Sequence, residues 1–329
     1  MKKVKIAILG CNYMGQMHAN CYRLLEDVEV VAVADLNEES ARKVASPFGA
    51  KVFTNAEDLI NTCALDAIDI CLPTFLHAKF VLQAMGKIPY IFVEKPVALT
   101  EEECAQLLQK QEETKANVQI GQVVRFWDEY EYLKKLIDEQ TYGKVVVASF
   151  KRLSPSPLWS SNNWLRNTKL SGGAVQDLHI HDIDYMLYVF GAPKKRSYIK
   201  NMVGESNAYV MSICTYDDFV VSVEGTWYLP TSYAFQAYYR VAFERGVVEF
   251  DKGVVTVYND EGEFNPDIEK KEIKINGVDG GNIFDLGGYL NELKYFTDCI
   301  KEKKPIGKAT LEDGVQSLKF VLDEVYERE

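Results

Sequence analysis

The 329-residue chain carries a formal net charge of −11. That excludes nucleic acid and anionic membrane surfaces as main partners, since both demand a basic footprint. A hydrophobic fraction of 47% and a charged fraction of 26% are those of an ordinary globular protein. No apolar run reaches the roughly 18 residues of a membrane span, and the length exceeds what one core usually serves, so two domains are expected.

The chain opens Met1-Lys2-Lys3-Val4-Lys5 and runs through a short apolar stretch to Gly10. That stretch is too short for a secretory leader and reads as a first strand, Val4–Leu9. A helix is expected from Gly15 to about Leu25, a strand at Val28–Ala34, a helix at Glu38–Phe48 and a short strand at Lys51-Val52-Phe53. The series continues with a helix at Ala56–Asn61, a strand at Ala67–Leu72, a helix at His77–Met85 and a strand at Tyr90–Val93. Thr100 and Glu103 have the spacing of a capping box for the next helix, and Val118–Gln122 supplies a further strand. Unbroken apolar strands alternating with amphipathic helices predict a doubly wound parallel sheet covered on both faces.

Beyond residue 123 the texture changes. A helix at about Asp128–Glu139 leads into a strand at Val145–Leu153. From about 195 to 275, runs rich in Val, Tyr and Phe are separated by Asp217-Asp218, Arg245-Gly246 and Asp251-Lys252-Gly253, the pattern of an open, mostly antiparallel sheet. Two amphipathic helices, Asp285–Lys301 and Leu311–Arg328, end the chain, and Ser154–Ser171 is expected to be a mobile loop. The expected domains are residues 1–123 and 124–329, with 285–329 packing back as part of the second, an α+β domain.

Seven cysteines, at Cys11, Cys21, Cys63, Cys71, Cys104, Cys214 and Cys299, form no C-x-x-C pair. This argues against a disulfide framework or a structural zinc site and makes a reducing cytoplasm the expected location.

The first strand runs into Gly10-Cys11-Asn12-Tyr13-Met14-Gly15, a G-x-N-x-x-G turn. A dinucleotide fingerprint needs a tight turn at its first glycine and close helix packing at its last, with the pyrophosphate on the helix N-terminus. Asn12 is expected to replace the middle glycine by adopting left-handed backbone geometry. Asp35 ends the second strand twenty residues after Gly15, where a carboxylate binds both ribose hydroxyls and repels a 2′-phosphate. The expected cofactor is therefore NAD rather than NADP. Two later strand ends, Leu72-Pro73-Thr74 with His77 and Glu94-Lys95-Pro96, fall where ligands bind in such folds.

Those residues, with His18 and the stretch Gly172-Gly173-Ala174-Val175-Gln176-Asp177-Leu178-His179-Ile180-His181-Asp182-Ile183-Asp184, resemble the Gfo/Idh/MocA oxidoreductases over essentially the whole chain. The resemblance implies a Rossmann domain joined to an open-sheet domain, a sugar, cyclitol or polyol substrate, and a homodimer or homotetramer. It implies that Gly10, Asn12, Tyr13, Met14, Gly15, Asp35, Leu72, Pro73, Thr74, His77, Glu94, Lys95 and Gln122 hold the cofactor. It makes Lys95 the catalytic lysine, Asp177 and His181 its partners and Arg125 a substrate-side group, and it implies a cis Lys95–Pro96 bond.

Read as chemistry, Asp177 and His181 lie four apart and share one face of a helix. His181 suits the role of base for a hydroxyl proton, and Lys95 can stabilise a developing alkoxide. Asp177 would orient the substrate or the imidazole, and the scheme needs no metal. His179, His181, Asp182 and Asp184 could form a metal cluster only on non-helical backbone, because His179 and His181 are two apart. Trp164, Arg166 and Lys169 are candidates for lining a polyol pocket, with Trp164 the stacking surface. Tyr228, Tyr233, Tyr238 and Tyr239 read as sheet residues by propensity. Other substrates (dihydrodiols, imines or sugar nucleotides) and a non-catalytic dinucleotide sensor are the alternatives.

Overall fold

The structure, a computed structural model, describes residues 3–158, 160–203, 207–269 and 286–326. The outer ends of the expected sheet region and terminal helices, 270–285 and 327–329, lie outside the described residues. The chain divides into two compact units, 1–123 with 272–318, and 124–271 with 319–329.

The first unit alternates β1 (Val4–Leu9), α1 (Tyr13–Tyr22), β2 (Val28–Ala34), α2 (Glu38–Ala45), β3 (Lys51–Phe53), α3 (Ala56–Thr62), β4 (Ala67–Ile70), α4 (His77–Ala84), β5 (Tyr90–Glu94), α5 (Glu101–Thr114) and β6 (Asn117–Gly121). The strands pair in parallel in the order β3-β2-β1-β4-β5-β6, the Rossmann arrangement. Ile6, Ile8 and Leu9 of β1 have no solvent exposure, and burying each contributes about 1.5–3 kcal/mol. The capping box of α5 is present: Thr100 Oγ1 accepts from Glu103 N, and the Glu103 carboxylate accepts from Thr100 N.

The second unit contains α6 (Asp128–Asp138), β7 (Val145–Pro155), α7 (Thr168–Ser171) and α8 (Ile180–Phe190). Its sheet is built from β7 with β8 (Lys195–Val203), β9 (Asn207–Thr215), β10 (Val220–Leu229), β11 (Gln236–Phe243), β12 (Gly246–Asp251), β13 (Val254–Asn259) and β14 (Gly262–Phe264). The order is β14-β13-β12-β11-β7-β10-β9-β8, antiparallel except for the parallel pair β7 and β10. Tyr130, Phe150, Tyr185, Tyr239 and Phe250 meet edge-on or stacked in its core, with Tyr130 and Tyr185 centroids 4.8 Å apart. The segment expected as a loop carries a 3₁₀ stretch, Ser161–Arg166, and then α7.

The last two helices, α9 (Gly287–Glu302) and α10 (Leu311–Tyr326), differ from expectation. Helix α9 belongs to the first unit. Phe296 of α9 packs edge-on against Phe92 of β5 at 5.5 Å, and Gln119 of β6 donates to the Glu292 carbonyl. Ile120 N also bonds Ala309 O at 2.8 Å. The apolar face of α9 thus covers the parallel sheet, and the division between units falls inside α10.

Candidate active site

The turn after β1 is built by exclusion of side chains. Gly10 has φ +89°, and a Cβ there would stand 2.5 Å from the Cys71 carbonyl oxygen. A Cβ on Gly15 would stand 1.9 Å from the Gly10 oxygen. Both close approaches require glycine, and they leave the first turn of α1 bare for a pyrophosphate. Asn12 does not take the left-handed geometry expected of it. It is the N-cap residue, with φ −82° and ψ −153°, because the tightness of the turn is already supplied at Gly10. Tyr13 and Met14 open α1 half-buried. Burial first, then the nearby Asp35, pushes the Cys11 thiol up to about 12, so it sits in the turn as an inert apolar group.

Asp35 ends β2 and braces this turn. Its Oδ2 accepts from Cys11 N at 2.7 Å and its Oδ1 from Asn37 N at 2.8 Å. Each oxygen keeps a second lone pair with which to accept a ribose hydroxyl.

The ends of β4 and β5 are tied together by His77. Its Nε2 lies 2.6 Å from Leu72 O and its Nδ1 2.7 Å from Pro96 O. Both ring nitrogens face backbone carbonyls, so the expected cofactor ligand acts here as a brace for Leu72-Pro73-Thr74 and for Lys95-Pro96. The Lys95–Pro96 bond is cis. Lys95 is half-buried, and its backbone N–H donates to Glu94 Oε2. Beyond β6, Gln122 is buried, and neither polar atom of its amide has a hydrogen-bond partner among the described residues. Buried amides are rarely left so. The glycine cradle and this orphaned amide both fit a bound dinucleotide.

In the second unit, Gly172 and Gly173 have φ +74° and +66° and turn the chain into a π-helical stretch, Val175–His179, that runs straight into α8. The i→i+5 geometry is the sort of helix irregularity found at functional sites. Within 173–187 every residue is buried except Asp177 and His181, which are half-buried. The two lie on a π/α junction rather than on the plain helix expected.

The neighbours of that pair are committed elsewhere. Asp182 takes a two-point bond from Arg152 at 2.8 and 3.0 Å, and Asp184 takes one from Arg125 at 2.7 and 2.7 Å. His179 Nε2 lies 2.9 Å from Ser212 Oγ, which donates to Glu324 Oε1 at 2.6 Å. Asp182 and Asp184 are thereby each matched by a buried arginine, while His179 Nδ1 has no hydrogen-bond partner among the described residues. Arg125, the expected substrate-side group, is paired within its own unit. It is 2% exposed, pairs with Asp184 and stacks on Tyr188 at 4.5 Å, because a buried guanidinium must be matched by a carboxylate.

Trp164 is half-buried on the 3₁₀ stretch, with Arg166 and Lys169 exposed beside it. Tyr239 is buried and donates to Glu129 O, Tyr238 donates to Glu249, and Tyr228 and Tyr233 are exposed. Sequence reasoning overlooked two buried acids of the first unit, Asp69 and Glu292. The signal was available for Asp69, a carboxylate inside the apolar strand Ala67-Ile68-Asp69-Ile70.

The family model described as an NAD-binding Rossmann-fold oxidoreductase family matches residues 4–122, and a GFO/IDH/MocA C-terminal domain model matches 130–249. Glucose-6-phosphate 3-dehydrogenase of Bacillus subtilis (strain 168) is 30% identical over 189 residues, 56% of this chain and 53% of that protein. Inositol 2-dehydrogenase of Rhizobium meliloti (strain 1021) is 31% identical over 189 residues, 57% of this chain and 55% of that protein. The chain thus spans about half the length of the curated relatives it matches. A levoglucosan dehydrogenase structure in complex with NADH and levoglucosan shares the fold, with a TM-score of 0.83 at 19% identity, covering 98% of this chain and 96% of that one. Among the described residues no helix is long and apolar enough to cross a membrane. With a dinucleotide turn at Gly10–Gly15 and both family models matched in succession, the chain belongs to the Gfo/Idh/MocA family of NAD-binding oxidoreductases.

Proposed function

We propose that the protein is an NAD-dependent dehydrogenase acting on a secondary hydroxyl of a sugar, cyclitol or related polyol. The observation that carries this reading is the pair Asp177 and His181, alone in keeping solvent exposure along an otherwise buried run of fifteen residues, 173–187. Polar groups of a reacting centre must reach solvent-borne substrate, and purely structural ones need not.

In this reading NAD, when bound, takes the hydride. Gly10, Asn12, Tyr13, Met14 and Gly15 receive its pyrophosphate, Asp35 its ribose, and Pro73, Thr74, Glu94 and Gln122 its remaining polar edge. Lys95 holds the reacting hydroxyl oxygen and stabilises the charge that develops as its proton leaves. His181 takes that proton, and Asp177 orients the hydroxyl and the imidazole. Trp164 offers an apolar ring for a sugar face. Asp35 favours NAD, since its carboxylate repels a 2′-phosphate. The named relatives act on a sugar phosphate and on inositol, in keeping with a polyhydroxylated substrate.

Exposed apolar pairs in register on the second unit's sheet, Val147 beside Val220 and Ile199 beside Met211, suit a homo-oligomeric face. A panel of sugars, sugar phosphates and cyclitols assayed for reduction of NAD, in parallel with NADP, tests the reading. Turnover of one polyol with NAD is expected. NAD binding without turnover of any hydroxyl compound would leave a dinucleotide-binding sensor instead.

A further inference from the structure

Asp69 sits in β4, a central strand of the parallel sheet, with no solvent exposure. A carboxylate in that position must be matched. Its oxygens meet His18 Nδ1 at 2.8 Å, Tyr22 Oη at 2.9 Å and Cys71 Sγ at 3.3 Å, and Cys71 Sγ lies 3.2 Å from His18 Nδ1. One nitrogen, one oxygen and one sulfur donor from α1, β4 and the residue after β4 therefore face one another, all within 4.8 Å.

We propose that His18 Nδ1, an Asp69 carboxylate oxygen and Cys71 Sγ form a binding site for a zinc-type divalent ion, which staples α1 to β4 beneath the glycine turn. Zinc bonds of about 2.0–2.3 Å set neighbouring tetrahedral donors about 3.3–3.7 Å apart. The donor atoms, one from each residue, lie within 4.8 Å of one another, and His18 Nδ1 stands 3.2 Å from Cys71 Sγ, so side-chain rotation is needed to bring all three to those separations. The mixed nitrogen, oxygen and thiolate set favours a borderline-soft ion over magnesium or calcium. A second observation points the same way. The other imidazole nitrogen, His18 Nε2, lies 3.1 Å from Glu94 Oε1. A carboxylate behind a ligating imidazole is the usual outer partner of a metal-bound histidine. Both atoms are buried and otherwise unmatched among the described residues.

The exchange balances. The ion displaces the Cys71 thiol proton and any proton held between His18 Nδ1 and Asp69, each released to solvent. The Cys71 carbonyl also lies against Gly10, so the ion would fix the backbone on which the dinucleotide turn rests. The linear spacing of cysteines gives no hint of such a site, because its ligands come from separate elements.

The test uses the tag-free full chain, stripped with chelator and titrated with zinc alone. One zinc per chain is expected to survive desalting, and chelator is expected to lower the melting temperature of the loaded protein. Cobalt in place of zinc is expected to show tetrahedral visible bands and a thiolate charge-transfer band. Cys71→Ser should lose that band and at least about tenfold in zinc affinity, and Glu94→Gln roughly 10–100-fold. Cys63→Ser, altering a cysteine outside the cluster, should keep all three signals. Failure of wild-type protein to retain stoichiometric zinc overturns the site, as does a cobalt spectrum without the thiolate band. So does a Cys71→Ser variant that holds zinc as well as wild type. None of these readouts depends on the substrate or on turnover.

Discussion

His77 grips the carbonyl of Pro96: the imidazole Nδ1 lies 2.7 Å from it, while Nε2 reaches Leu72 O at 2.6 Å. Burial is the main influence on the ring and lowers its pKa, although both carbonyls oppose the shift. The consequence is mechanical, since one side chain holds two strand ends and, through Pro96, the backbone that carries Lys95. His77→Ala is expected to reduce kcat by roughly 10–100-fold through misplacement of Lys95. Folded stability should fall by about 1–3 kcal/mol as the carbonyl that accepts from the ring loses its donor. Steady-state kinetics with a denaturant melt measure both, and an unchanged kcat would show that the brace is not needed for chemistry.

Lys95 itself should separate binding from turnover. Lys95→Ala is expected to lower kcat by roughly 10²–10⁴-fold, while NAD binding, followed by calorimetry, changes little. His181→Asn should remove the acid limb of the kcat/KM profile. Full activity in Lys95→Ala would remove it from the reacting centre and with it the proposed reaction.

The first unit was largely legible because a parallel sheet buried on both faces demands unbroken apolar strands, and β1, β2 and β3 occupy the expected residues. Gly10 and Gly15 were legible because sterics admit nothing else there. What stayed hidden depends on long-range pairing. Arg125 finds Asp184 and Arg152 finds Asp182 across 59 and 30 residues, and no local pattern encodes which arginine is neutralised. Helix α9 shows an apolar face in sequence, but amphipathicity tells only that the face is covered, not by which sheet.

The Arg125–Asp184 pair, 2% and 1% exposed, makes its own prediction. Arg125→Met alone leaves a buried carboxylate and should cost about 3–5 kcal/mol, whereas adding Asp184→Leu should recover most of it. Urea melts of the single and double variants measure the difference. A single variant that melts like wild type but shows a raised substrate KM would return Arg125 to the substrate.

Asp35 has two duties, and its removal should show both. Asp35→Ala deletes the acceptor for Cys11 N–H, so KM for NAD should rise by roughly 10–150-fold, in line with a lost charge-assisted bond of about 1.5–3 kcal/mol. The same change lifts the repulsion of a 2′-phosphate, so the NAD-to-NADP ratio of kcat/KM should fall. Measured for both cofactors, an unaltered ratio would show that selectivity lies elsewhere.

Glu292 of α9 supplies the pH dependence. It is fully buried, and neither carboxyl oxygen has a hydrogen-bond partner among the described residues. Burial first, then the nearby Glu94, raises its pKa well above 4.5, and His18 offsets this only in part. An acid raised in the folded state binds its proton more tightly there than in the unfolded chain. Its contribution to stability is therefore fully present below about pH 4.5 and is lost as pH rises through the folded-state value. Across that window wild-type stability should decline by up to about 1.4 kcal/mol per pH unit from this group. Glu292→Gln keeps the shape and cannot ionise, so its stability curve should lack that slope and lie above wild type at neutral pH. Chemical denaturation of both proteins from pH 4 to 8 reads the difference directly. Parallel curves would mean that Glu292 meets its charge with a partner and stays ionised in the fold.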